Sequence, residues 1–166
     1  MKKNNRIRFI CHSGIIAAVY VVLTCITNLF GLASGAVQCR LSEAMCVLPA
    51  FVPGAVPGLF IGCLLSNILN GCHVLDVVFG SLATLAGAFG TYLLSKSRMH
   101  YLTYPVPAIV SNTVIIPFVL KYAYGLKEGI LYFFFTVGLG ELVSCGILGT
   151  FLYCYLRKNA KRIFKL

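Results

Sequence analysis

Residues 44–95 form a run of 52 that carries a single formally charged side chain, Asp76. A water-borne fold must show polar side chains on the solvent face of every long element, and this run has almost none to show. It belongs in a bilayer. Its length then limits how it folds: at a rise of about 1.5 Å per residue it covers ~78 Å as helix, more than two crossings and fewer than three of a ~30 Å hydrocarbon core.

The basic residues decide between the two. Of 14 Lys and Arg, 11 fall in three clusters: Lys2, Lys3, Arg6 and Arg8; Lys96 and Arg98; and Arg157, Lys158, Lys161, Arg162 and Lys165. Short loops rich in Lys and Arg stay on the cytoplasmic side, which puts both termini and the Lys96/Arg98 loop there and makes the number of crossings between them even. A first span over 9–32 leads outward. The run 44–95 therefore holds an odd number of crossings, and one would leave half of it unused, so three shortened spans are predicted. Two more follow, joined by an outer loop with Lys121, Lys127 and Glu128. The expectation is an all-α membrane protein with six transmembrane helices and cytoplasmic termini. It forms one domain over 1–166, with spans near 9–32, 42–54, 56–71, 74–95, 105–124 and 129–156, in a prokaryotic plasma membrane.

Composition agrees and excludes other classes. The chain is 59% hydrophobic with net charge +10 and mean hydropathy +0.90, which rules out a disordered tail or a soluble enzyme. A strongly basic chain also suggests nucleic acid, but these charges flank apolar spans and form no stripe interleaved with aromatic residues. The first apolar segment exceeds a ~7 to 15 residue signal core, so it reads as a retained span. Of eight cysteines, Cys11, Cys25, Cys46, Cys63, Cys145 and Cys154 fall inside spans, where a thiol acts as a small apolar group. Cys39 and Cys72 lie in outer loops.

Local signals refine the picture. Ser42 is placed to cap a helix, with Glu43 at its positive end and Arg40 three residues away as a pairing partner. Three prolines and two glycines within residues 49–58 end the second span and begin the third. Gly80, Ser81, Ala83, Ala86, Gly87, Ala88 and Gly90 make the fourth span narrow and suited to close packing, and Gly14 and Ala18, four apart on the first, allow either internal packing or a partner surface.

Ionisable groups inside spans are costly and mark function by default. Glu141 stands near the middle of the last span with no cation nearby in sequence; Asp76 and Glu43 open outward helices; Asn67 and Asn112 are amides in apolar helices. With Arg40 and His73 they predict a hydrogen-bonding vestibule in the outward half of the bundle. Arg40, Glu43, Asn67, Asp76, Asn112 and Glu141 are the candidate binding residues for a small polar, planar or cationic solute. No metal-ligand spacing, phosphate loop, HExxH or GxSxG is present, so no catalytic residue, cofactor or metal is expected.

The words Gln38-Cys39-Arg40-Leu41-Ser42-Glu43-Ala44, Leu48-Pro49, Pro57-Gly58-Leu59-Phe60-Ile61-Gly62-Cys63 and Asp76-Val77-Val78-Phe79-Gly80-Ser81-Leu82-Ala83-Thr84 resemble the QueT family. Those are small membrane proteins regarded as the substrate-binding S components of energy-coupling factor (ECF) transporters and assigned to queuosine precursors. The resemblance implies a 7-deazaguanine ligand such as preQ0 or preQ1. It also implies no ATP hydrolysis by this chain, a scaffold transmembrane subunit with two cytoplasmic ATPases, and a docking face on the first helix at Gly14, Ala17 and Ala18. Val21 and Val22 stand four residues beyond Ala17 and Ala18, so the family's alanine spacing is kept only in part. The residues alone leave a second reading open, a stand-alone secondary carrier with ion coupling built into one chain; six spans without an internal repeat disfavour it.

Overall fold

A computed structural model describes residues 3–31 and 40–163 of the chain. The segment with Gln38 and Cys39, expected from the sequence to be an outer loop, lies outside the described residues, and with it any pairing of Cys39 with Cys72. Among the described residues the chain is helical throughout: α1 (Lys3–Leu29), a 3-10 helix (Leu41–Ala50), α2 (Ala55–Leu69), α3 (Val74–Lys96), α4 (Val106–Tyr122), α5 (Ile130–Glu141), a π-helical stretch (Leu142–Leu148) and α6 (Gly149–Ile163). A short 3-10 turn at Tyr101–Thr103 leads into α4. The last three large elements are one continuous rod, of which Ile130–Asn159 is long and apolar enough to cross a bilayer.

Six helical segments occupy the six predicted places, and the run 44–95 does hold three of them. Their reach differs from expectation. Asn5–Leu29, Val74–Lys96, Tyr101–Tyr122 and Ile130–Asn159 are long enough to span, whereas Leu41–Ala50 and Ala55–Leu69 are short. The 15 residues of α2 reach ~22 Å as α-helix. The ten residues before it are wound as 3-10 helix, whose ~2 Å rise carries them to ~20 Å. Runs of 3-10 helix beyond three or four residues are uncommon, and this one contains Pro49, which supplies no N–H donor to the spiral. Ser42 is not its cap. Arg40 takes that position in an extended conformation without a side-chain cap bond, and the Ser42 hydroxyl pairs with the Thr24 hydroxyl at 2.8 Å.

Close packing is achieved by glycines that meet other backbones. A Cβ added at Gly54 would lie 2.8 Å from the Phe9 carbonyl, at Gly58 2.8 Å from the Ser13 carbonyl and at Gly62 2.8 Å from the Tyr20 Cβ. These three, four apart, form the stripe by which the chain entering α2 lies on α1. The small residues of α3 serve α4 in the same way: a Cβ at Gly87 would stand 2.6 Å from the Ala108 Cα, and one at Gly90 2.5 Å from the Pro107 Cβ. Ile16, Tyr20, Met45, Leu48, Leu59, Cys63, Ala88 and Leu156 make the largest buried apolar cluster. It wraps the 3-10 helix, which thereby becomes the central element of the bundle.

Overpacking a tight contact costs about 1–3 kcal/mol, while a change into open space stays within about 0.5 kcal/mol. Gly87→Ala is therefore expected to lower the thermal unfolding midpoint of the purified chain in detergent, and Gly14→Ala, whose Cβ would meet nothing within 4 Å, to leave it in place. Equal midpoints for the two variants would contradict the α3–α4 packing.

Candidate substrate-binding site

Three of the four acidic residues of the chain are buried together: Glu43 at 3% exposure, Asp76 at 2% and Glu141 at 8%. Each arrives on a different element. Glu43 is brought by the 3-10 helix, Asp76 by the first turn of α3 and Glu141 by the last turn of α5. Arg40, Asn67 and Asn112, also buried, complete the set.

One half centres on Glu43. Its Oε1 accepts a short hydrogen bond from the Tyr20 hydroxyl, and its Oε2 faces the Asn112 amide at 3.5 Å. The π-helical stretch begins immediately after Glu141, and its wider i→i+5 turns carry Cys145 beside both acids. The Cys145 Sγ lies 3.1 Å from Glu141 Oε2 and 3.3 Å from the Glu43 carbonyl oxygen.

The other half is built on Asn67. Its Oδ1 accepts from Arg40 Nη1 at 3.4 Å, and its amide nitrogen donates to the Asp76 carbonyl at 3.4 Å and toward Cys63 Sγ at 3.7 Å. Thr84 donates to the same thiol sulfur at 3.3 Å. Arg40 interacts electrostatically with both Asp76 and Glu43, so one guanidinium serves two carboxylates. Asp76 Oδ2 accepts from the Tyr124 hydroxyl at 2.9 Å. Its Oδ1 has no hydrogen-bond donor among the described residues, and it stands next to Gly80, where an added Cβ would come within 3.1 Å of Oδ1 and 3.2 Å of Asn67 Nδ2.

Chemically this is a buried set with three carboxylates to one cation. Six carboxylate oxygens face one guanidinium, two amides, two phenols and a thiol, and a thiol is a weak donor. A ligand rich in N–H groups matches that imbalance. One ligand atom each from Glu43, Glu141 and Cys145 also lie within 4.8 Å of one another, a grouping that could hold a metal ion and that sequence spacing did not reveal. The Cys145 Sγ lies within hydrogen-bond reach of Glu141 Oε2, and as a metal ligand it would have to be the thiolate.

All six predicted binding residues are thus in one buried region, in two groups linked by Arg40. Glu43 does stand in the first turn of its helix, as its sequence position implies, and in addition bonds with Tyr20 and Asn112. His73 stands at the N-terminus of α3, where its Nδ1 accepts from the Leu75 N–H at 3.2 Å and caps the helix. The α1 trio divides: Gly14 and Ala18 are exposed, while Ala17 is buried at 7% and its carbonyl lies against Gly62. Sequence reasoning missed Tyr20, Cys145 and Tyr124. Tyr20 and Thr24, and Glu141 and Cys145, are four apart, the helical spacing that would have joined them on one face. A separate apolar groove of ≈ 320 Å³ between α3 and α4, lined by Leu75, Phe79, Val114, Phe118 and Tyr122, contains none of these residues.

Residues 10–158 match the QueT transporter family. The chain belongs to that family. With four helices able to span a bilayer, it is a multi-pass membrane protein, and the QueT assignment covers both halves of the buried polar region. Among curated relatives, the queuosine precursor transporter QueT of Lactococcus lactis subsp. cremoris (strain MG1363) is 34% identical over 88 residues, 52% of this chain and 52% of the relative. The chain thus aligns with about half the length of that QueT protein. No solved structure matches the chain.

Proposed function

We propose that this chain is the substrate-binding membrane subunit of an ECF-type importer and that it takes up a 7-deazaguanine precursor of queuosine, preQ0 or preQ1. The observation that carries the reading is the excess of buried carboxylate acceptors. A guanine-like edge offers a ring N–H and an exocyclic amine as two parallel donors, which one carboxylate accepts together. Glu141 is the first choice for that edge and Asp76 the second. A 7-deaza ring lacks the N7 acceptor, so Arg40 is confined to O6 or to orienting Glu43 and cannot make the O6/N7 fork used on guanine. Glu43 or Asp76 remains for a cationic arm where the ligand has one.

Family membership and the name of the Lactococcus relative support the substrate class. For the importer architecture, the support is the exposed strip of α1 on which Gly14 and Ala18 lie beside Ile15 and Val22, half or more exposed. A scaffold helix would pack on these small residues, two cytoplasmic ATPases would hydrolyse the ATP, and the basic termini would lie on the same side as the ATPases.

Calorimetric titration of the purified chain with preQ0, preQ1, guanine and queuine tests the ligand. A 7-deazapurine is expected to bind more tightly than guanine. A buried charge-assisted hydrogen bond contributes about 1.5 to 3 kcal/mol, so Glu141→Ala is expected to weaken binding roughly tenfold to a hundredfold, with losses also in Asp76→Ala and Arg40→Ala. Unchanged affinity in all three variants would place the pocket elsewhere. Docking is tested separately: Gly14→Leu and Ala18→Leu are expected to stop uptake by cells while the isolated chain still binds its ligand, and normal uptake by both variants would remove the docking face.

A further inference from the structure

The connection between α4 and α5 reaches across the outer end of the bundle. Gly125, at φ +63°, turns the chain away after α4, and Lys121 ties the connection down by donating to the Leu126 carbonyl at 3.3 Å and the Glu128 carbonyl at 3.1 Å. Tyr124 is the residue of this connection that reaches the polar region. Its hydroxyl accepts from the His73 backbone N–H at 3.2 Å and donates to Asp76 Oδ2 at 2.9 Å, so both of its hydrogen-bonding functions are used. The His73 ring packs edge-on against the Tyr124 ring, centroids 6.1 Å apart.

A purely structural explanation would make Asp76 a helix cap steadied by a neighbouring phenol. The caps argue otherwise, because His73 already fills that role through its Nδ1. Asp76 is left with its two oxygens in different situations: one held by Tyr124 on the outer side, the other buried next to Asn67 and Gly80 with no donor among the described residues. A buried carboxylate oxygen without a donor is costly in the ligand-free protein, and a donor arriving there gains what the protein does not supply. Tyr124 itself is 41% exposed and Asp76 2%, so the ring stands between the carboxylate and the outside.

We propose that Tyr124 is a positioning residue of the binding site: by holding one oxygen of Asp76 it presents the other, next to Asn67 and Gly80, to an N–H donor of the ligand. This rests on the reading of the polar region as a 7-deazapurine site. Tyr124→Phe keeps the ring and removes the hydroxyl. With preQ0 and preQ1 as probes, Tyr124→Phe is expected to weaken binding about tenfold in the wild-type background and by no more than about twofold in an Asp76→Asn background, because the phenol acts through that carboxylate. In uptake, KM rises about tenfold and the maximal rate stays within about twofold. Equal losses in both backgrounds, or none in the first, would overturn the proposal.

A second measurement needs no ligand. Carbodiimide-driven amidation of Asp76, followed by mass spectrometry of the intact chain in detergent, is expected to run at least about fivefold faster in Tyr124→Ala than in wild type, because the ring no longer covers the carboxylate. An unchanged rate would overturn the proposal even if neither preQ compound binds. Failure of wild-type binding would sink the ligand assignment, and the amidation rate would then decide the role of Tyr124 alone.

Discussion

A carboxylate inside a hydrocarbon layer must be hydrogen-bonded, paired or neutralised, and three carboxylates of this chain meet that demand in one place. Much of the architecture follows. The Glu43 carboxylate takes the Tyr20 hydroxyl from α1 and faces Asn112 from α4, so two membrane helices are fixed around a group on the 3-10 helix between them. Arg40 offsets charge at both Asp76 and Glu43 and donates to Asn67, which joins α2 to the group around Asp76. Removing a member of such a network leaves its partner buried and unsatisfied, which costs more than the bond itself contributes.

Two departures from regular helix make this convergence possible. The 3-10 winding of Leu41–Ala50 stretches ten residues along the bundle axis and buries nearly every side chain from Ser42 to Pro49. The π-helical stretch beyond Glu141 widens the last rod where it passes the 3-10 helix, bringing Cys145 to Glu141 and to the Glu43 backbone. Both would be costly in isolation, and they are packed closely together: just past the π-helical stretch, a Cβ added at Gly149 would lie 3.3 Å from the Ala44 carbonyl oxygen of the 3-10 helix. Tight apolar packing on either side supports the polar centre.

Much of this was legible in the sequence, for physical reasons that can be named. The near-absence of charge in 44–95 and the prolines at 49, 53 and 57 gave three shortened segments, and the structure has three, two of them short and the third, Val74–Lys96, of full spanning length. Arg40, Glu43, Asn67, Asp76, Asn112 and Glu141 stand out in apolar surroundings because burying each needs a reason, and all six are buried in one region. What escaped was whatever looks apolar in one dimension. Tyr20 and Cys145 read as bulk and small filler, yet they donate to Glu43 and Glu141. The 3-10 winding escaped because a short apolar run has no periodicity to separate it from α-helix, and the assignment of Ser42 as a cap fell with it. The α1 trio split because only the fold says which face α2 covers, and it covers Ala17.

The central claim is that the buried polar region, and not the apolar groove between α3 and α4, is where the ligand sits. A structure of the purified chain with a bound 7-deazaguanine tests this most directly. The account predicts ring density with donor nitrogens within about 3.2 Å of carboxylate oxygens of Glu141 or Asp76. Density in the groove lined by Leu75, Phe79 and Phe118, with the carboxylates bonded as they are in the ligand-free chain, would contradict it.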